Sequence, residues 1–358
     1  MGIRTLVAGT RRRHESEIID NVINDFILFK VLGDKDLAPK LFKQRELPQG
    51  ASYAEGLKLT DDPGRKIVEK IRKARNTTVR AYERFDLLST DPQDNADEVE
   101  HDWKSISGSM HLAWEDLDKN SGSKTRIFDL LEFAQDDLMA SIQEKVNDYF
   151  LGTVPADDLK RPTGLLDWIK DDPTTLPAAG AGVIGGIDAS DSNNSYWRNQ
   201  KVNHSAASFG TDQTGTGHAN LRQLIRDCTF GMQRGKIVLA GEDAFEALEK
   251  SLANQQRQND PRVNLLVAAG IDAIIFKNTP VVMEKRIDPV REAAGLSGSA
   301  FYVMNPRSLR VWGMQKRWFK LGNFREPTNQ DSQVAHCIAR LQMTCRGRRE
   351  QGVMFNVV

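Results

Sequence analysis

Cysteine is scarce in this chain: Cys228, Cys337 and Cys345 are the only three among 358 residues. An odd number without a CxxC pair argues against a disulfide framework and a zinc knuckle. Each sits in or beside an apolar stretch, where a thiol packs as a small hydrophobe. Net charge is absent as well, because 49 basic side chains balance 49 acidic ones. That excludes a polybasic nucleic-acid binder read from bulk charge. No run approaches the ~20 apolar residues that a membrane span needs. Met1-Gly2-Ile3-Arg4, followed by Arg11-Arg12-Arg13-His14-Glu15, leaves no room for a secretory apolar core. That start predicts a chain made and kept in a cytosol.

Catalytic motifs are missing too. No Walker A, HExxH or GxSxG string occurs, and the histidines (His14, His101, His111, His204, His218, His336) are dispersed. None pairs with another at metal-ligand spacing. Gly180-Ala181-Gly182-Val183-Ile184-Gly185 matches GxGxxG. A Pro-Thr-rich stretch at 173–177 precedes it instead of a strand, and a polar stretch at 188–194 follows instead of a helix. Without a helix N-terminus to face a pyrophosphate, that motif has no mechanism. The reading is therefore no catalytic residue, no cofactor and no metal. A triad assembled in space leaves a cytosolic enzyme open as a competitor.

What is present is a solvated globular composition, 39% apolar and 27% charged, with enough apolar residues for a core. At roughly 100–200 residues per domain, two or three domains are expected. Ile18, Ile19, Val22, Ile23, Phe26, Ile27 and Leu28 recur at helical spacing and predict a short amphipathic helix over 15–31. Two charge blocks follow. Arg65, Lys66, Lys70, Arg72, Lys73, Arg75 and Arg80 stand against Glu69 alone; Glu83, Asp86, Asp91, Asp94, Asp97, Glu98, Glu100 and Asp102 then stand against Arg84 alone. Oppositely charged strands pair favourably across a hairpin. A long hairpin is marginal alone in water, so it is expected to lie on another molecule. Two solvated faces of an ordinary sheet are the plainer alternative.

The strongest periodicity lies at 125–150. Ile127, Leu131, Ala134, Leu138, Ile142, Val146 and Tyr149 form one stripe. Asp129, Glu132, Gln135, Asp136, Gln143 and Asp148 are expected on the polar face. Ser121, Ser123 or Thr125 is a candidate cap, and Gly152 with Pro155 the stop. Further on, helices are expected at 218–233 and 242–254. Strands are expected at 236–240, 263–268, 271–276, 281–283, 301–304, 309–312, 334–344 and 353–358, with a turn at Asn278-Thr279-Pro280. Helices and strands mix without strict alternation, which favours α+β.

Several local strings share one resemblance. Lys119-Asn120-Ser121-Gly122 leads into the long helix, and Gly164-Leu165-Leu166-Asp167-Trp168-Ile169 follows it. Gly185-Gly186-Ile187-Asp188 then precedes Tyr196-Trp197-Arg198-Asn199. Arg226-Asp227-Cys228-Thr229, Asp243-Ala244-Phe245-Glu246-Ala247 and the 344–352 segment belong to the same pattern. Together with the order of arm, charged hairpin, long helix and α+β body, these strings resemble the major capsid protein of tailed bacteriophages, which has the Hong Kong 97-like fold.

That resemblance implies an N-terminal arm (1–50), an extended β-hairpin loop (51–104) and a peripheral domain (105–160) with a spine helix at 125–150. It further implies an axial domain (161–324) and return strands of the peripheral domain (325–358). The implied function is structural: self-assembly through pentamers and hexamers into an icosahedral phage head enclosing double-stranded DNA without sequence specificity. The implied place is the virion, after assembly in the host cytoplasm. Implied partners are further copies, a separate scaffold protein, a portal and a decoration protein, with no membrane. An encapsulin-like nanocompartment shell is the alternative within the same fold. A non-catalytic DNA-binding protein is a third reading, disfavoured by the zero net charge.

Intersubunit contacts are expected from Arg65, Lys66, Lys70, Arg72, Arg75, Arg80, Glu83, Asp86, Asp97, Glu98 and Glu100, with charge fixing register more than affinity. Gly185 and Gly186 are expected in a tight turn, beside Ile187 and Asp188. Trp197 is expected in a core or junction, with an interface hot spot as the alternative, and Arg198, next to Asn199, on a carboxylate of the same domain or on a neighbour. Arg346, Arg348 and Arg349, with Arg11–Arg13, are candidates to face packaged DNA, with solvated surface charge as the alternative. Some relatives cross-link Lys to Asn. No lysine lies near the hairpin's expected tip, which argues against cross-linking here.

Overall fold

The computed structural model describes residues 56–119, 124–174, 183–204, 209–210, 216–229, 236–252 and 272–357. The helix expected at 15–31 and the strand expected at 263–268 lie outside them, as do the candidate caps Ser121 and Ser123. The first strands are β1 (Leu57–Thr60), β2 (Ile67–Arg72), β3 (Ala96–His101), β4 (Lys104–Ala113) and β5 (Gln200–Asn203). Then come β6 (Ile237–Ala240), β7 (Ala273–Phe276), β8 (Thr279–Met283) and β9 (Ser299–Met304). The last are β10 (Leu309–Met314), β11 (Lys320–Leu321), β12 (Ser332–Cys345) and β13 (Gly352–Val357). The helices are α1 (Trp114–Lys119), α2 (Lys124–Leu151), α3 (Leu165–Trp168), α4 (Gly217–Asp227), α5 (Glu242–Leu252) and α6 (Ile287–Ala293).

Long β12 organises the first sheet. It pairs antiparallel with β4 on one edge and with β10 and β11 on the other, and β1 adds parallel to β10. Helix α2 lies against β4 at Gly108, where an added Cβ would sit 2.7 Å from Leu138 Cδ1 and 3.0 Å from Ile142 Cδ1. Glycine there lets the helix approach the strand. The 28 residues of α2 make a rod of about 42 Å. It ends at Gly152, whose N–H donates to Asp148 O at 2.9 Å. The stripe is as expected at Ile142 and Val146, but the polar face is corrected at Gln135. Gln135 is buried, while Phe133 stands 71% exposed. The inward face turns through Gln135, Met139, Ile142, Val146 and Phe150, one position off the stripe at its N-terminal end.

The second sheet runs β5-β13-β9-β6-β8-β7. All four residues of β6 are buried, as a strand covered on both faces requires. Ile237 and Leu239 enter a core with Trp168, Trp197 and Tyr302, while Val238 and Ala240 face Leu221, Leu224, Phe245 and Leu248 of α4 and α5. The turn between β7 and β8 sits at Lys277 and Asn278, both at positive φ (46° and 69°). It lies one residue before the expected position because Thr279 and Pro280 pair with Phe276 and Ile275. The two mixed sheets with flanking helices make the α+β class plain.

Sheet membership cuts across the boundary expected at 324/325. β10 and β11 belong with β12, and β13 belongs with β9 and β5. The chain crosses between sheets through the 305–308 and 346–351 turns. Ser308 O accepts from Arg346 N at 2.8 Å, and Gln351 Oε1 from Asn305 N at 2.8 Å.

Candidate functional site

The charged blocks form the expected hairpin. β2 and β3 pair antiparallel from Ile67↔His101 to Arg72↔Ala96. Lys66 Nζ meets Glu100 at 2.8 Å, Lys70 meets Glu98 at 3.8 Å and Lys73 meets Asp94 at 3.4 Å, all exposed. Such pairs contribute about 0–1 kcal/mol each. Arg65, Arg72 and Arg75 stand exposed beside them.

The other face of the stem is apolar, which the charge count concealed. Ile67, Ile71 and Val99 are buried, alternating with exposed Val68, Lys70 and Arg72. The root is thus part of the body's core, while most of the 73–95 tip is exposed. At the tip, Arg80 donates to Leu87 O, while Glu83 N donates to Asp86 Oδ2 at 2.8 Å. Phe85 is 90% and Leu87 88% exposed, with Val79, Tyr82 and Leu88 also exposed. The sequence reading, attentive to charge, missed these five. A cluster of large apolar residues inside a strongly charged segment was the available signal.

The 184–199 segment brackets the hairpin root. Gly185 O accepts from Glu100 N at 3.2 Å, and Tyr196 O–H donates to Asp97 Oδ2 at 2.7 Å. Burial, then the Asp97 carboxylate, holds the Tyr196 phenol above its ordinary range. Gly185 and Gly186 have φ of +66° and +86°, the tight turn expected of them. Ile187 is buried, and Asp188 accepts from Ser190 N and Oγ at 2.8 and 2.7 Å. Trp197 is buried against Trp168, centroids 6.0 Å apart, and donates to Ile184 O at 3.3 Å. Asn199 holds Lys170 through both backbone groups.

Two expectations are corrected here. Arg198 donates to the carbonyls of Ala189, Ser190 and Asp191, not to a carboxylate. Arg348 is buried, donates to Trp168 O at 3.0 Å and lies over Trp197; it faces no packaged DNA. Arg346 reaches Glu69 at 3.4 Å, and Trp312 Nε1 donates to the same carboxylate at 3.2 Å. Both contacts fasten β2 to the first sheet.

His101 closes the root. Its ring meets Trp168 edge-on at 5.3 Å, and its buried Nε2 has no hydrogen-bond partner. Burial lowers its pKa from 6.5 to about 4, against an opposing pull from Asp102. The unfolded chain therefore binds the proton first. The stability gained by keeping His101 neutral is complete above about pH 6.5 and is lost as pH falls towards 4. The shift corresponds to about 3 kcal/mol. His101→Phe is expected to flatten the pH 4–6.5 dependence of Tm relative to the parent; an unchanged slope contradicts this.

A cleft lies between α2 and α6, lined by Tyr149, Thr153, Arg161, Arg286 and Val290. Its arginines are engaged: Arg286 with Glu144 and Asp148, Arg161 with Asp158. Among the described residues, no group of His, Cys, Asp and Glu is placed to hold a metal.

No protein-family model and no curated protein matches the chain. Solved structures do. The capsid asymmetric unit of cyanophage A-1(L) superposes with a TM-score of 0.60 at 13% identity, over 84% of this chain and 90% of that one. The capsid of the native GTA particle superposes at 0.53 and 12%, over 88% and 94%. An encapsulin of Synechococcus elongatus reaches 0.43 at 11%, over 89% and 94%. The first two show the fold, which is the Hong Kong 97-like fold of phage capsid proteins.

Proposed function

We propose that the chain is a structural major capsid subunit, assembling through pentamers and hexamers into an icosahedral head around double-stranded DNA. The observation that carries this reading is the hairpin. Its root is built into the core, while its tip holds five large apolar side chains in water, on a chain with a capsid fold. The five apolar side chains form an exposed patch of the kind that marks an interaction surface, and the closed shell supplies the neighbour that covers it. Repeated weak contacts then add as multivalent binding does.

In this reading residues 1–50 are the arm and 73–95 the part of the loop that crosses to a neighbour. The first sheet with α2 forms the peripheral domain, and the second sheet with α4 and α5 the axial one. The stem charges Lys66, Lys70, Glu98 and Glu100 set register, and the apolar tip supplies affinity. A separate scaffold protein, portal and decoration protein, and non-specific contact with DNA, complete the proposal. The role is non-catalytic. An encapsulin-like shell is built the same way and differs in cargo.

Light scattering of the purified full chain tests the reading. Capsomers or shells, at five or more copies per particle, are expected; a monodisperse dimer would overturn it.

A further inference from the structure

The zero net charge of the whole chain conceals a basic face. Between Ala293 and Arg349 stand ten basic residues against two acidic ones, Glu326 and Asp331. This segment supplies β10, β11 and β12 of the first sheet. None of the five strands of that sheet holds an Asp or Glu.

One face of the sheet is occupied, since α2 packs on it at Gly108. Alternation along β4 turns Ser105, Ser107, Ser109 and His111 to the opposite side, and all four are exposed. Register assigns their neighbours. Arg340 pairs with Ser105 and His336 with Ser109. Lys320 pairs with Ile338, opposite Ser107, and Arg325 with Val334, opposite His111. Across β12, Trp312 stands opposite Gln342 and carries Lys58 over its ring, 4.3 Å from the centroid. Lys58, Lys320, Arg325 and Arg340 are exposed, and among the described residues none of the four has a carboxylate partner. Carboxylates border the face at the strand ends. Asp61 and Asp62 follow β1, Glu326 follows Arg325, and Asp331 precedes β12. Glu69 is taken by Trp312 and Arg346.

We propose that this face takes the phosphate backbone of a nucleic-acid duplex, without reading its sequence. Cationic side chains and serine hydroxyls are the groups that backbone contacts use. From Ser105 to His111 the face runs about 20 Å, a length over which one strand of a duplex presents about six phosphates. An acidic protein segment would bring apolar anchors that need pockets. Here the apolar groups are Ile338 and Met314, both half-buried, and the cleft of the subunit lies elsewhere, between α2 and α6. The inference rests on the shell reading, in which the chain encloses double-stranded DNA, and adds the surface on which that DNA bears.

The test uses the full chain, as unassembled subunits or capsomers, with a labelled duplex of about 30 base pairs. Fluorescence anisotropy follows binding between about 50 and 200 mM salt. The logarithm of the association constant is expected to fall against that of salt with a slope of about −3 to −4, as four phosphate contacts require. Lys320→Gln, Arg325→Gln and Arg340→Gln together should bring the slope to about −1 and weaken binding at least about tenfold at the lowest salt. Arg72→Gln with Arg75→Gln, at two exposed cations of the hairpin, should leave both unchanged. Circular dichroism establishes folding; should the triple variant not fold, Arg340→Gln alone should reduce the slope by about one. No binding, an equal loss from the hairpin pair, or tighter binding of polyglutamate of the same charge overturns the proposal. Particle mass of the parent separates the two readings. Shells whose unassembled subunits bind no duplex overturn this face and leave the shell standing; duplex binding by a closed dimer keeps the face and overturns the shell.

Discussion

Phe85→Ser, Leu87→Ser and Leu88→Ser together are expected to abolish particle formation while leaving a folded subunit. The three side chains are exposed in the single chain, so folding loses little when they change. Each apolar side chain buried against a neighbour contributes about 1.5–3 kcal/mol. Three amount to about 5 kcal/mol or more per contact before ordering costs. The exposed stem pairs, at about 0–1 kcal/mol each, cannot replace that. Lys70→Ala with Glu98→Ala is accordingly expected to shift the salt dependence of assembly and spare the particles. Removing all of 60–100 is a poorer experiment, because Ile67, Ile71 and Val99 belong to the core. Unchanged particles from the triple serine variant would show that affinity lies elsewhere.

Gly185→Ala is expected to be the most damaging small substitution at the hairpin root. Its φ of +66° costs an alanine about 1–2 kcal/mol. An added Cβ would also lie 2.0 Å from Val99 Cγ1 and 3.1 Å from His101 Cε1. Both atoms belong to buried side chains of β3, and overpacking of this kind costs about 1–3 kcal/mol. The sum, about 3 kcal/mol, is a large part of a typical 5–15 kcal/mol stability. Gly186→Ala is the control. Its φ is +86° with no atom within 4 Å, so only the backbone cost of about 1 kcal/mol remains. Urea denaturation should rank the two, and hydrogen exchange should place the Gly185→Ala loss at Ala96–His101. Equal losses from both variants would remove the bracket from the account.

The long helix was legible because its apolar residues recur at helical spacing and Gly152 stops it. The hairpin was legible because its charge blocks are opposite in sign, and Lys66–Glu100 and Lys70–Glu98 meet as that implies. Its buried face was not, since Ile67, Ile71 and Val99 are few, and the groups that meet the root, Gly185 at Val99 and Trp168 at His101, are distant in sequence. Arg198 and Arg348 misled for a related reason. A guanidinium, half-buried at Arg198 and buried at Arg348, is satisfied by carbonyls as well as by carboxylates, and nothing local announces which. Gln135 turned inward, against expectation, because a stripe read at steps of three and four fixes the edge of the buried face only to within one residue.

The central claim is that the apolar tip of one subunit is covered by another. Cryo-electron microscopy of particles formed by the full chain tests it most directly. The account predicts pentamers and hexamers in which Phe85, Leu87 and Leu88 lie buried on an adjacent subunit. Particles with the tip in solvent, or a small closed oligomer in place of particles, would contradict it.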